Sequence, residues 1–190
     1  FTGDIGTRLQ DVDGDGVNDF YYNGIYKTGK NLSAYTLSKI KESNGSEINF
    51  SYKSSSEYKN INGDRKNIMQ VPQIVLDRIV INDGLGNNTE TNILYSGGTY
   101  YQNPNNKSEK QFAGFGVVEV SEQNKMTRTY FHQGGGFNGS QLGEYQDDES
   151  KIGQVYRQET YDTTSGVAQK KLVSLQTSKW RSQIVGSQKL

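Results

Sequence analysis

The chain has 190 residues, with 21 basic and 21 acidic side chains and so no formal net charge; nothing in it attracts nucleic acid or an anionic membrane at long range. It has no cysteine, which excludes thiol catalysis, thiolate metal sites and disulfides. The most apolar stretch, QIVLDRIVI, is broken by Asp77 and Arg78, so no membrane insertion is expected of this segment. Abundant Gly, Asn, Ser and Tyr with only two Pro is the composition of many short strands joined by tight turns, which predicts an all-β fold. The first residue is Phe1, and the chain reads as a piece of a longer polypeptide.

The first element is LQDVDGDGVNDFYY, residues 9–22. Its closely spaced aspartates repel one another unless they are solvated or share a cation. Asp11, Asp13 and Asp15 alternate as the side-chain ligands of a calcium loop do, with Val17 placed to give a backbone carbonyl. Gly14 and Gly16 let the backbone wrap the ion, and Asp19 closes the shell directly or through water. A full EF-hand would need a bidentate Glu at the position held by Tyr22, and the flanks TRLQDV and DFYYNG read as strands, not helices. The expected cofactor is therefore a structural Ca2+, with a solvated acidic turn as the alternative. A boundary is expected near Gly24, giving residues 1–24 as a calcium-loop blade fragment and 25–190 as a hairpin domain.

Hairpins follow in series. NLSAYTLSKIK alternates, with Leu32, Ala34, Thr36, Ser38 and Ile40 on one face and Tyr35 and Leu37 on the other. Asn44-Gly45 supplies a two-residue turn, and INFSYKS returns. EYKNINGDRKN is a charged loop. IVLDRIVIN and TETNILYS form the next ribbon around an Asp83-Gly84 turn, and SGGTYYQNPNNKSEKQ connects onward with a short strand at Tyr100-Tyr101. A third hairpin, FGVVEVSE to KMTRTYFH, turns at Gln123-Asn124. QGGGFNGSQLGEYQDDES is a long loop; DDESKIG at its end is the best candidate for a helical turn, but it too reads more easily as loop. The fourth hairpin runs from IGQVYRQETYD through TTSG to VAQKKLVSLQTSKW. No helical periodicity appears.

Other candidates carry less. His132, the only histidine, lacks recognisable triad or zinc partners, and strand-end packing is expected of it. Asp147, Asp148 and Glu149 could include a glycosidase pair but read as a solvated loop tip. GGGFNG lacks the lysine and helix start of a phosphate loop. Trp180 and the tyrosines could stack on sugars, though strand tyrosines usually pack across strands. In FAGFG, Phe112 and Phe115 fall on opposite faces of an extended chain, and Gly114 and Gly116 leave room for close approach or a bulge. No catalytic residue is expected.

These stretches also carry a resemblance. RLQDVDGDGVNDF resembles the FG-GAP/VCBS-type repeat that ends the propeller region of SpvB-like proteins and Tc insecticidal toxin B components. YTLSKIKESNGSEINFSYKSS resembles the hairpin after it, and VPQIVLDRIVINDGLGNNTETNILYSGGTYYQNPNNKSEKQFAGFGVVEV their middle region. YFHQGGG and GQVYRQETYD continue it towards RHS/YD-type strands. Ala113 stands where the family often has Arg before GFG.

The resemblance implies consecutive long antiparallel hairpins in a curved sheet, part of an RHS-like β-shell, in a non-enzymatic segment of a secreted or cell-surface bacterial protein. The shell would enclose or present a toxic C-terminal polypeptide. The implied partners are the remainder of the same large polypeptide and other toxin-complex or secretion components. A free-standing calcium-stabilised extracellular β-module binding a glycan or protein ligand at a cell surface is the alternative, with an aromatic platform near Trp180 or Tyr100-Tyr101.

Overall fold

A computed structural model describes residues 8–10, 19–22, 25–27, 36–58, 72–106, 108–135, 147–182, 184–185 and 188–189. The fold is all-β, as the composition requires. Strands β1 (Arg8–Gln10), β2 (Asp19–Tyr22) and β3 (Ile25–Lys27) form an antiparallel three-stranded sheet. Eight strands make the main antiparallel sheet: β4 (Lys39–Lys41), β5 (Glu47–Ser54), β6 (Ile74–Asn82), β7 (Asn88–Gln102), β8 (Lys110–Glu122), β9 (Lys125–Phe131), β10 (Val155–Asp162) and β11 (Lys171–Thr177). They lie side by side in strict chain order. A small ribbon pairs β12 (Ile184–Val185) with β13 (Gln188–Lys189). The chain forms two units, Phe1–Tyr58 with Val71–Asn88, and Lys59–Gln70 with Thr89–Leu190.

In the first unit, turn chemistry sets the register. The Asn44-Gly45 turn has three residues, not two: Gly45 N–H donates to the Glu42 carbonyl, and Glu42 N–H to that of Ser46. Gly45 takes φ +87°, the left-handed residue that closes a three-residue hairpin. At the end of β6, the Asp83 carboxylate accepts from the backbone of Leu85 and Asn87 and from the Asn87 amide, which holds its pKa below the usual value. Between β5 and β6, Ser54 and Glu57 form a capping box around the 3-10 turn Ser55–Glu57. The strand expected from Leu32 is described only from residue 36 and is regular only over β4; Leu32, Ala34 and Tyr35 lie outside the described residues. So does most of the EYKNINGDRKN loop.

In the second unit, three expectations change. Much of the glycine-rich connection is strand: β7 runs through its first seven residues to Gln102, because β8 pairs with it from Gln102↔Lys110 back to Thr91↔Glu122. The return strand of the fourth hairpin starts late, since Val167–Gln169 is a 3-10 turn. The FAGFG bulge is real, but it reverses the parity of its aromatics. Gly98 faces Phe115 and Tyr100 faces Phe112, so Thr99 alone opposes Ala113 and Gly114. The extra residue brings Phe112 and Phe115 to one face, where their rings meet edge-on with centroids 5.7 Å apart. Gly114 is there for its φ of +78° and not for space, since a Cβ would meet nothing within 4 Å. The Gln123-Asn124 turn joins Glu122 to Lys125 as expected.

The core of this unit is a thin layer on one face of β8–β10. Val117, Tyr130 and Tyr156 cluster with little or no exposure, and Met126 is fully buried. A charged row crosses the same face: Glu119, Arg128 and Glu159 stand opposite one another on successive strands. Arg128 donates to Glu119 through Nε and Nη2, at 3.0 and 2.6 Å. Glu159 accepts from Arg157 Nε at 2.7 Å and from the Tyr130 and Tyr161 hydroxyls at 2.9 and 2.7 Å. Burial alone would raise the Glu159 pKa, but these donors outweigh it and hold it low. Burial and then Glu159 push Tyr161 up to about 12. Two Glu and two Arg balance, so the row replaces apolar packing without an uncompensated charge.

Candidate functional site

Of the sequence-predicted calcium ligands, only Asp19 is among the described residues; Asp11, Asp13, Asp15 and Val17 lie outside them. The frame around them is described. β1 and β2 pair antiparallel with Arg8 opposite Tyr21, Leu9 opposite Phe20 and Gln10 opposite Asp19, so residues 11–18 connect two paired strands, as the flanking sequence predicts. Asp19 opens β2 at the foot of that connection and is buried, with 1% exposure. The all-oxygen donor set suits a hard cation such as Ca2+. Among the described residues, no three His, Cys, Asp or Glu are grouped to hold a metal ion.

Among the described residues, the most organised polar site lies elsewhere, after β9. His132 continues from that strand and is fully buried against the Tyr156 ring, centroids 5.1 Å apart. Its backbone is tied to the segment before β10: its N–H donates to the Gln154 carbonyl, and Gly153 N–H donates to its own carbonyl. Asp147 then clasps the turn. Its Oδ1 lies 3.1 Å from His132 Nδ1 and accepts from Gly134 N–H at 3.0 Å, and its Oδ2 accepts from Gly135 N–H at 2.8 Å. Gln133 N–H also points at Oδ2, at 3.4 Å. The glycines are required here. Gly134 and Gly135 have φ of +86° and +110°, and a Cβ on Gly134 would come within 2.8–2.9 Å of Ile152 and of the Tyr101 ring. The Gln133 side chain donates to the Gly97 and Gly114 carbonyls, which fastens the clasp to the bulged ends of β7 and β8.

This corrects the expectation of a solvated tip at Asp147: its side chain is only 3% exposed. Asp148 caps a 3-10 turn, Glu149–Lys151, where DDESKIG reads more easily as loop, and pairs with the buried Lys151 at 3.4 Å. His132 packs at the strand end as expected. Burial pushes its pKa down, and the nearby Asp147 carboxylate opposes that shift without overcoming it, so the imidazole is neutral at pH 7. A His–Asp pair is two of the three members of a catalytic triad, but this imidazole has no exposed surface for a substrate to reach. It serves as a packing and anchoring group. Sequence spacing could not pair residues 132 and 147; the run of three glycines after a strand end was the one available signal.

Beside the clasp, a cleft of about 380 Å3 is lined by Tyr100, Tyr101, Gln102, Pro104, Gly135 and Glu149, among others. A second, of about 310 Å3, shares Tyr101 and Glu149 with it. Trp180, foreseen as a stacking platform, is 40% exposed and donates its indole N–H to the Val155 carbonyl at 2.8 Å.

No helix among the described residues is long and apolar enough to cross a membrane. A search of curated proteins matched none. A family model described as the insecticide toxin TcdB middle/N-terminal region matches residues 2–137.

Proposed function

We propose, because the chain belongs to the insecticide toxin TcdB middle/N-terminal family, that it is a non-enzymatic structural segment of a secreted toxin complex, building part of a β-shell around or beside a toxic polypeptide. The observation that carries this reading is the sheet itself. Eight strands follow one another in strict chain order, so each new hairpin adds to one edge, and the last strand, β11, is exposed along its whole length. Leu172, Val173 and Leu175 are 46, 65 and 48% exposed. The opposite edge, β4, is three residues long and carries two lysines, a protected edge; β11 has seven residues and a lysine only at its start. An open, partly apolar edge suits a sheet that continues into further strands.

Membership in a toxin-complex family supports association with other parts of such a complex and a secreted protein. A calcium ion held by Asp11, Asp13, Asp15, the Val17 carbonyl and Asp19 pins the β1–β2 connection near the Gly24 boundary, where a propeller-type repeat gives way to hairpins. The ion's work is to cancel carboxylate repulsion and fix the turn, and no reaction step passes through it.

Amide hydrogen exchange of residues 171–177 tests the shell reading. Exchange is fast in the isolated chain and slows when the chain is part of the assembled toxin complex. Equal rates in the two states would sink the proposal.

A further inference from the structure

We propose that the cleft bounded by Tyr101 and Glu149 binds a neutral saccharide, a role that goes beyond the structural one above and does not rest on it. A sugar ring offers an apolar C–H face ringed by hydroxyls, and it is recognised by an aromatic face with polar groups at its rim. The cleft supplies both. Tyr101 gives the aromatic wall, with Pro104 beside it and Gln102 and Glu149 at the rim; Tyr100, next to it in β7, turns its ring the other way onto Phe112. At about 380 Å3 it falls in the lower part of the range for ligand clefts, roughly 300–1,000 Å3. The neighbouring cleft shares the Tyr101–Glu149 divide, so a ligand of more than one ring can cross it.

The wall is preorganised. Gly134 is the only residue type that fits behind the Tyr101 ring, where a Cβ would stand 2.9 Å from ring carbon Cδ2. Asp147 fixes Gly134 through its backbone N–H, so the clasp described above holds the cleft in shape.

Charge decides the ligand class. Tyr101 sits among Glu149, Asp148 and Glu109; burial first, and then these carboxylates, raise its pKa and keep it a phenol. That field repels sialylated, sulfated or phosphorylated sugars from the Tyr101 side of the cleft, while the neighbouring cleft sets a cation, Lys110, against Glu109 and Glu149. The same field attracts a cationic side chain as well, but that cation would have to compete with the partners the carboxylates already hold. Asp147 holds the clasp, Asp148 accepts from Ser150 and Ser182 and pairs with Lys151, and Glu149 takes the Tyr101 hydroxyl. What they still offer is lone pairs for hydroxyl donors.

The test is an array of neutral, sialylated and sulfated oligosaccharides probed with the whole chain, and with its Tyr101→Ala and Glu149→Gln variants. Neutral oligosaccharides are expected to bind, and Tyr101→Ala to weaken them about tenfold. Glu149→Gln, at an exposed position that leaves the fold intact, is expected to admit anionic sugars that the native chain rejects. The proposal is overturned if no neutral sugar binds, if anionic sugars bind the native chain better, if Tyr101→Ala binds as well as the native chain, or if a Lys/Arg-rich peptide binds where sugars do not.

Discussion

Asp147→Ala removes the acceptor that closes the turn after β9. Four donors lose their partner together: His132 Nδ1 at 3.1 Å and the N–H groups of Gly134, Gly135 and Gln133 at 3.0, 2.8 and 3.4 Å. A hydrogen bond to a charged group is worth about 1.5–3 kcal/mol, so a plain sum would reach roughly 6–12 kcal/mol. That sum is too large. Gly135 N–H lies at the surface and takes up water, the Gln133 contact is long, and contacts in one network do not add. The donors with no such relief are His132 Nδ1 and Gly134 N–H, which places the loss at about 3–5 kcal/mol, as for other broken buried pairs. For a chain of this size each kcal/mol lowers Tm by roughly 2–4 °C, so the expected drop is about 6–20 °C. Urea unfolding should show a lower midpoint at unchanged slope. Asp147→Asn keeps one acceptor oxygen and should lose about half as much. Glu149→Ala, two residues away and exposed, loses only the Tyr101 hydroxyl and should cost about 1 kcal/mol or less. If Asp147→Ala were as mild as Glu149→Ala, the clasp would not be what holds this turn.

Three further outcomes follow from the same structure. His132, the only histidine, should titrate below the ordinary value of 6.5 in an NMR pH series; since burial depresses its folded pKa, the stability it contributes is full above pH 6.5 and declines as pH falls below it, and titration at or above 6.5 would contradict the buried site. Gly114→Ala should cost about 1–2 kcal/mol for its left-handed backbone alone, whereas Gly134→Ala adds collisions with Ile152 and Tyr101 and should cost more; the reverse order in thermal melts would refute the packing around Gly134. Calcium at a hundred times its dissociation constant should stabilise the unit bearing the aspartate loop by about 2.7 kcal/mol relative to chelator, and an unchanged melt would remove the calcium proposal.

Much of the architecture is legible in the sequence because hairpins declare themselves locally. Alternation gives the strands, and Asn44-Gly45, Asp83-Gly84 and Gln123-Asn124 mark turns within a residue of where they fall. Length is harder to read. SGGTYY looks like a connection, but a glycine-containing segment becomes strand when a neighbour pairs with it, as β8 does with β7. FAGFG announces a bulge, yet which faces its aromatics take depends on where the extra residue sits, and that is fixed by the partner strand. The Glu119–Arg128–Glu159 row and the Asp147 clasp are invisible locally, because each joins residues distant in sequence whose proximity only the register creates. Asp147 read as solvated because consecutive acids usually are; three backbone donors beyond a strand end reversed that.

On the proposed function, this sheet is one stretch of a larger β-structure that closes over its exposed edge. An electron cryomicroscopy map of the assembled toxin complex tests it most directly. Continuous main-chain density is expected, hydrogen-bonded along Lys171–Thr177 of β11 and extending the meander beyond its eight strands. Solvent along the full length of that strand in the assembled complex would contradict it.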